Sequence, residues 1–165
     1  MKSILLKMFF GICGFLLGVI FIIYRCGYIL EGKKKRADRF YAYFNLLDRW
    51  LSCKEQGYEL VGFLKENNIK SVAIYRMGKI GNHLKYELDE SGIEIKYVID
   101  EEEDVIYGKE VHYNLQDNLP SVDAVIVTSV DEFEEVRDKI LAINKILNVI
   151  SLEQIIDYME NNNSF

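Results

Sequence analysis

Apolar positions along this chain keep three different rhythms. From Met8 to Tyr24, "MFFGICGFLLGVIFIIY", seventeen residues pass without a charge. That is the short end of a membrane-spanning helix, and Lys7 and Arg25 can extend it by reaching toward the headgroups. From Phe40 the apolar residues recur every three or four positions: Phe40, Tyr43, Phe44, Leu47, Trp50 and Leu51. This spacing predicts an amphipathic helix, ended near Gly57 and followed by a second, short one over Leu60, Val61, Phe63 and Leu64 up to Asn67 and Asn68.

Beyond Asn68, short apolar runs alternate with helical patterns. Ser71–Tyr75, Glu94–Ile99, a segment around Glu110–Tyr113, Asp123–Ser129 and the run "KILNVI" read as strands. Helices are expected over Ile80–Glu90, over "DEFEEVRDKILAI" with acidic residues at its positive end, and over "SLEQIIDYME". In the last of these, Ser151 is the expected N-cap and Gln154 its capping-box partner. Alternation of this kind implies parallel pairing, because parallel neighbours need crossover connections. The expected fold is α/β: an N-terminal transmembrane helix, a helical brace, then a half-Rossmann parallel sheet of about five strands in the order 3-2-1-4-5. The corresponding divisions are an anchor at 1–30, a basic collar at 31–39, a brace at 40–68 and a Rossmann-like domain at 69–165.

Charge sharpens this division. Residues 1–39 hold eight Lys/Arg and two Asp/Glu, a net of +6, whereas residues 40–165 hold twelve against twenty-four, a net of −12. So acidic a domain repels phosphate backbones, which argues against nucleic-acid binding. The apolar run is followed by Arg25, Lys33, Lys34, Lys35, Arg36 and Arg39 and preceded by only Lys2 and Lys7. The positive-inside rule therefore places the main domain in the cytoplasm, on a single-pass anchor. A cleaved signal peptide fits less well, since "YRCGYIL" offers no small-residue cleavage site. Cys13, Cys26 and Cys53, with His83 and His112, have no metal-site spacing, and unpaired thiols are the expectation.

Candidate chemistry gathers at "SVAIYRMGKIGNHLKYEL", residues 71–88. In a dinucleotide-binding strand–turn–helix, one glycine permits the tight turn, a second lets backbone approach phosphate, and a third lets helix pack on strand. Gly78 and Gly81 hold the second and third places, and Arg76 holds the first. Arg76, Met77, Gly78, Lys79, Ile80 and Gly81 are thus the candidate cofactor-binding loop. Asp100, nineteen residues past Gly81, ends the second expected strand where a carboxylate commonly takes a ribose hydroxyl. Thr128 and Ser129 end the fourth, at the edge where open α/β sheets bind ligands; no histidine is placed to activate either, so they are hydrogen-bonding candidates and not nucleophiles. Arg76 can obstruct a pyrophosphate, grip it in bidentate fashion, or pair with an acid such as Glu101, Glu102, Glu103 or Asp104. Tyr75 and Lys79 share the Y-x-x-x-K spacing of some reductases but straddle strand and turn, and Lys79 is followed by Ile80, so no Walker motif is present.

The stretch from "FYAYFNLLDRW" through "IYRMGKIG", with "IKYVID" and "LPSVDAVIVTS", resembles a group of bacterial Rossmann-like, NAD(P)-binding-like domains that accompany cell-surface polysaccharide and glycosyltransfer proteins. Its members typically read "IYGMGxxG", so Gly78 and Gly81 match and Arg76 departs. The resemblance covers about residues 40–158. It implies a module that binds a nucleotide or nucleotide-sugar, with NAD(P) or a nucleotide-sugar as the candidate ligand, accessory to surface polysaccharide synthesis. Two other readings stand beside it: a non-enzymatic protein that docks a homodimer mate or membrane-protein partner and keeps a degenerate nucleotide site, and an NAD(P)-dependent oxidoreductase.

Overall fold

A computed structural model describes residues 2–89, 91–100, 111–115 and 118–161. The acidic run 101–104 and the expected strand start at Glu110 lie outside them. The chain divides into two compact units, Met1–Tyr41 and Ala42–Phe165.

Helix α1 runs Lys2–Glu55. The backbone is helical through the expected anchor and collar and on into the brace as far as Glu55, and the brace then breaks at Gly57, as expected, before a second short helix over Leu60–Glu66. No proline interrupts residues 2–55, and the chain's only proline is Pro120. Lone glycines such as Gly27 and Gly32 lower helix propensity by about 1 kcal/mol each without breaking the hydrogen-bond ladder. The first unit includes an apolar stretch long enough to cross a membrane.

The second unit is an α/β fold. After α2 (Leu60–Glu66) come β1 (Ser71–Tyr75), α3 (Gly78–Leu88), β2 (Glu94–Ile99), β3 (Val111–Tyr113), β4 (Ala124–Val127), α4 (Phe133–Ile143), β5 (Val149–Ser151) and α5 (Leu152–Asn161). The strands form one sheet, β3-β2-β1-β4-β5, with every neighbouring pair parallel. Central β1 is buried along its length. Its register with β4 pairs Val72 with Ala124 and Tyr75 with Val127, so both strands end at the same edge. β5 has only three residues where six were expected, and the helix after β1 begins at Gly78, two residues early.

Alternation along β1 sends side chains to opposite faces, and each face has its own core. Val72 and Ile74 pack with Leu46, Trp50 and Cys53 of α1, Leu60 and Leu64 of α2, Leu84 and Leu88 of α3, and Ile155, Ile156 and Met159 of α5. Ala73 and Tyr75 pack on the other face with Tyr97, Val136 and Ile140 of α4, Leu119, Val122 and Leu147. There the Tyr97 hydroxyl donates to the Pro120 carbonyl at 2.7 Å, and burial beside Tyr113 pushes its pKa up to about 12.

The residues of α1 that enter the core differ from the expected stripe. Leu46, Trp50 and Cys53 are buried, whereas Phe40, Phe44, Leu47 and Leu51 are exposed. Of the expected stripe, Trp50 is buried in the core and Tyr43 packs half-buried against it. Two polar hubs fix this helix. Glu87 of α3, with only 6% of its side chain exposed, accepts from Trp50 Nε1 (3.1 Å), Lys54 Nζ (2.8 Å) and the Leu60 N–H (2.8 Å). It satisfies a buried indole and caps the start of α2 at once. Arg49 meets Glu160 through Nε (2.9 Å) and Nη2 (2.6 Å) and also reaches Asp157 and Glu153 of α5. At the other end of α5 the capping box forms: Ser151 Oγ accepts from the Gln154 N–H, and Gln154 Oε1 from the Ser151 N–H, both at 3.0 Å.

Candidate functional site

The carboxyl edge of β1, β2 and β4 brings the sequence-selected residues together. Arg76 follows β1 and donates its N–H to the Ile99 carbonyl at 2.8 Å, which sets it beside Asp100 at the end of β2. Asp100 is half-buried, and its own N–H donates to the Tyr113 carbonyl at 3.2 Å. Thr128 and Ser129 follow β4 and are 3% and 1% exposed. The Thr128 hydroxyl can donate to the Tyr75 carbonyl, at 3.1 Å, or to that of Arg76, and so laces β4 to the turn.

The turn has two residues with positive φ: Arg76 at 63°, in the left-handed region that favours glycine, and Gly78 at 34°. Left-handed geometry costs a non-glycine residue about 1–2 kcal/mol. Met77 is fully buried beneath the turn. At Gly81 a Cβ would lie 3.1 Å from the Arg76 carbonyl oxygen, 3.3 Å from Met77 Sδ and 3.4 Å from Ile74 Cγ2. Gly81 therefore fills the helix-on-strand packing role. α3 starts without a side-chain cap. Ile80 is buried, Lys79 is exposed, and Tyr75 is committed to the second core. Tyr75 and Lys79 thus share no face.

The Arg76 side chain has a partner that its sequence neighbourhood does not contain. Its Nη1 meets Glu132 Oε2 at 2.8 Å, and the same oxygen accepts from Ser129 Oγ at 3.1 Å. Burial works against the guanidinium charge, but Glu132 and the Tyr43 hydroxyl outweigh it, and the pKa of Arg76 is raised. Glu132 precedes α4 and is the residue that reading of the sequence missed. The signal lay in the sheet order. A strand beside β1 ends at Thr128 and Ser129, so an acid a few residues later falls within reach of residue 76.

A cavity of about 450 Å³ opens along this edge, lined by Leu46, Thr128, Ser129, Asp131, Glu132, Glu134, Glu135, Ser151 and Glu153 among others. Its described walls carry five carboxylates and no lysine or arginine. Like charges in one concavity focus a field that repels phosphate. Arg76, at the start of the turn, is already matched by Glu132, and Lys79 within it is exposed.

No protein-family description, curated protein or solved structure matches this chain.

Proposed function

We propose that this chain is a membrane-anchored, cytoplasmic α/β module that works by docking a membrane-bound partner, and that its dinucleotide-type turn is closed by an internal ion pair. The Arg76–Glu132 contact carries this reading. The guanidinium at the turn faces a carboxylate of the same domain, Glu132, which also lines an acidic cavity, while Lys79 of the turn is exposed. A ligand phosphate gripped by Arg76 would have to displace Glu132. The excess of Lys/Arg after the apolar run supports cytoplasmic placement, and the family resemblance suggests surface-polysaccharide assembly as the setting.

A second reading keeps the turn as a nucleotide or nucleotide-sugar site. The close approach at Gly81 and the uncapped start of α3 favour it, since free N–H groups at a helix start attract anions. The two readings separate in one experiment. Full-length protein in lipid nanodiscs is melted with and without NAD+, NADP+ and UDP-sugars, as wild type and as Glu132→Gln. A ligand at a hundred times its dissociation constant stabilises by about 2.7 kcal/mol, a visible shift. Docking with a closed turn predicts no shift in wild type. A nucleotide shift in wild type overturns it, and a shift confined to Glu132→Gln shows that the ion pair is what shuts the site.

A further inference from the structure

The basic collar takes no part in the core or at the sheet edge. Lys33, Lys34, Lys35 and Arg36 are exposed on α1, within the first unit. They form no ion pair among the described residues, whereas Arg39 has a partner of its own. Glu31 and Asp38 flank them, yet residues 31–39 keep five Lys/Arg against two Asp/Glu, a net of +3.

Because the collar is helix and not loose linker, its charges have fixed directions. Successive residues turn by about 100° and rise about 1.5 Å, so the four cations spread over about 300° of arc within about 5 Å of axis. They make a ring. A protein surface laid against the helix would meet one side of that ring, whereas headgroups that surround the helix meet all of it.

Height along the helix agrees. A hydrocarbon core takes about 20 residues, so a span that starts at Met8 ends near Gly27. Lys33 then lies about 9 Å beyond that edge and Arg36 about 14 Å. The headgroup layer fills about 5–7 Å of this distance. Long Lys and Arg side chains reach back toward it, and the remainder is within a Debye length of about 8 Å.

We propose that this ring binds the anionic phospholipid headgroups of the leaflet from which the collar emerges, so that the protein gathers acidic lipid around its anchor. The rest of the chain cannot supply that attraction. Residues 40–165 carry twelve Lys/Arg against twenty-four Asp/Glu, a net of −12, and are repelled by the same surface. A headgroup that meets one such cation is favoured about fivefold over a neutral one. The inference rests on the anchored placement of the chain and adds a lipid chemistry to it.

The test uses the full chain in phosphatidylcholine vesicles that carry trace spin-labelled phosphatidylglycerol or, in parallel, spin-labelled phosphatidylcholine. Wild type is expected to immobilise the anionic label about threefold to fivefold more than the zwitterionic one. Lys33→Gln, Lys34→Gln, Lys35→Gln and Arg36→Gln combined should bring that ratio close to one with helix content unchanged, since glutamine is a good helix former. Salt at about 1 M, which shortens screening to about 3 Å, should do the same. Equal immobilisation in wild type overturns the proposal. So does a preference that survives the fourfold variant, which would place the lipid contact elsewhere on the chain. Extraction with alkaline carbonate separates this inference from the anchor beneath it. A chain retained in the vesicles without lipid preference removes the ring's role alone, and a chain released from them removes the anchored placement and the lipid contact together.

Discussion

Arg76 carries two opposing effects whose sizes can be compared. Its left-handed backbone costs about 1–2 kcal/mol, and its half-exposed ion pair with Glu132 returns only about 0–1 kcal/mol. Glycine there would remove the strain but add about 0.5–1 kcal/mol of backbone entropy cost. Arg76→Gly should therefore change stability by less than about 1 kcal/mol, whereas Arg76→Val, branched at Cβ, should be clearly destabilised. Chemical denaturation of the pair checks this; a large loss in Arg76→Gly would mean that the ion pair is worth far more than its exposure suggests. Gly81→Val should cost more than either, because its added carbons meet backbone and a buried Met77, and overpacking of this kind costs about 1–3 kcal/mol or more.

Asp123 gives the residue scale a pH dependence. Its Oδ2 accepts from the N–H groups of Lys70 (2.9 Å) and Ser71 (2.8 Å) and from Ser71 Oγ (3.0 Å), which lowers its pKa. Glu160 is likewise lowered by its bonds to Arg49. A carboxylate whose folded pKa is depressed stabilises the fold above its unfolded value and loses that contribution as pH falls through the folded one. With unperturbed values of 3.8 and 4.5, melting temperature should hold from pH 7 to about 5 and then fall. Asp123→Asn should flatten part of that fall. A curve of the same shape in the variant would show that Asp123 contributes nothing to it.

Among the elements, the sequence was most readable where one period served one purpose. β1 and β4 are short, apolar and buried on both faces, so each was visible as an uninterrupted run. The α5 capping box was visible because both partners lie within four residues. α1 was harder, because its aromatic period mixes two faces. Leu46, Trp50 and Cys53 serve the core while Phe44, Leu47 and Leu51 do not, and a single helical projection cannot say which stripe a sheet will choose. Glu87 was hidden for a related reason: a carboxylate inside an ordinary helix becomes a hub only once α1 and α2 are packed against it. Trp50→Ala should cost about 3–5 kcal/mol by cavity formation, and Glu87→Ala about 2–3 kcal/mol through an unsatisfied indole and a lost cap. Denaturant midpoints test both. A neutral Trp50→Ala would mean that α1 does not pack on the domain.

For the whole molecule, the apolar run and the charge imbalance predict fractionation with membranes and protection of residues 42–165 from protease added outside intact cells. Digestion of that domain in unpermeabilised cells would reverse the topology. The candidate site was half legible. Gly78, Gly81, Asp100, Thr128 and Ser129 could be placed on one sheet edge from strand–helix alternation alone. The partner of Arg76 could not, because it lies 56 residues away, and the contact depends on β4 lying next to β1. That partner is what the proposed closed turn rests on, since it occupies the Arg76 guanidinium.

Calorimetric titration of the intact wild-type protein in nanodiscs with NADP+ and a UDP-sugar tests that claim most directly. A turn closed by Glu132 should give only heats of dilution up to about 1 mM ligand, a binding free energy weaker than about 4 kcal/mol. A saturable one-to-one isotherm in the micromolar range, lost in Gly81→Val and weakened in Arg76→Gly, would contradict it and make the turn a working nucleotide site.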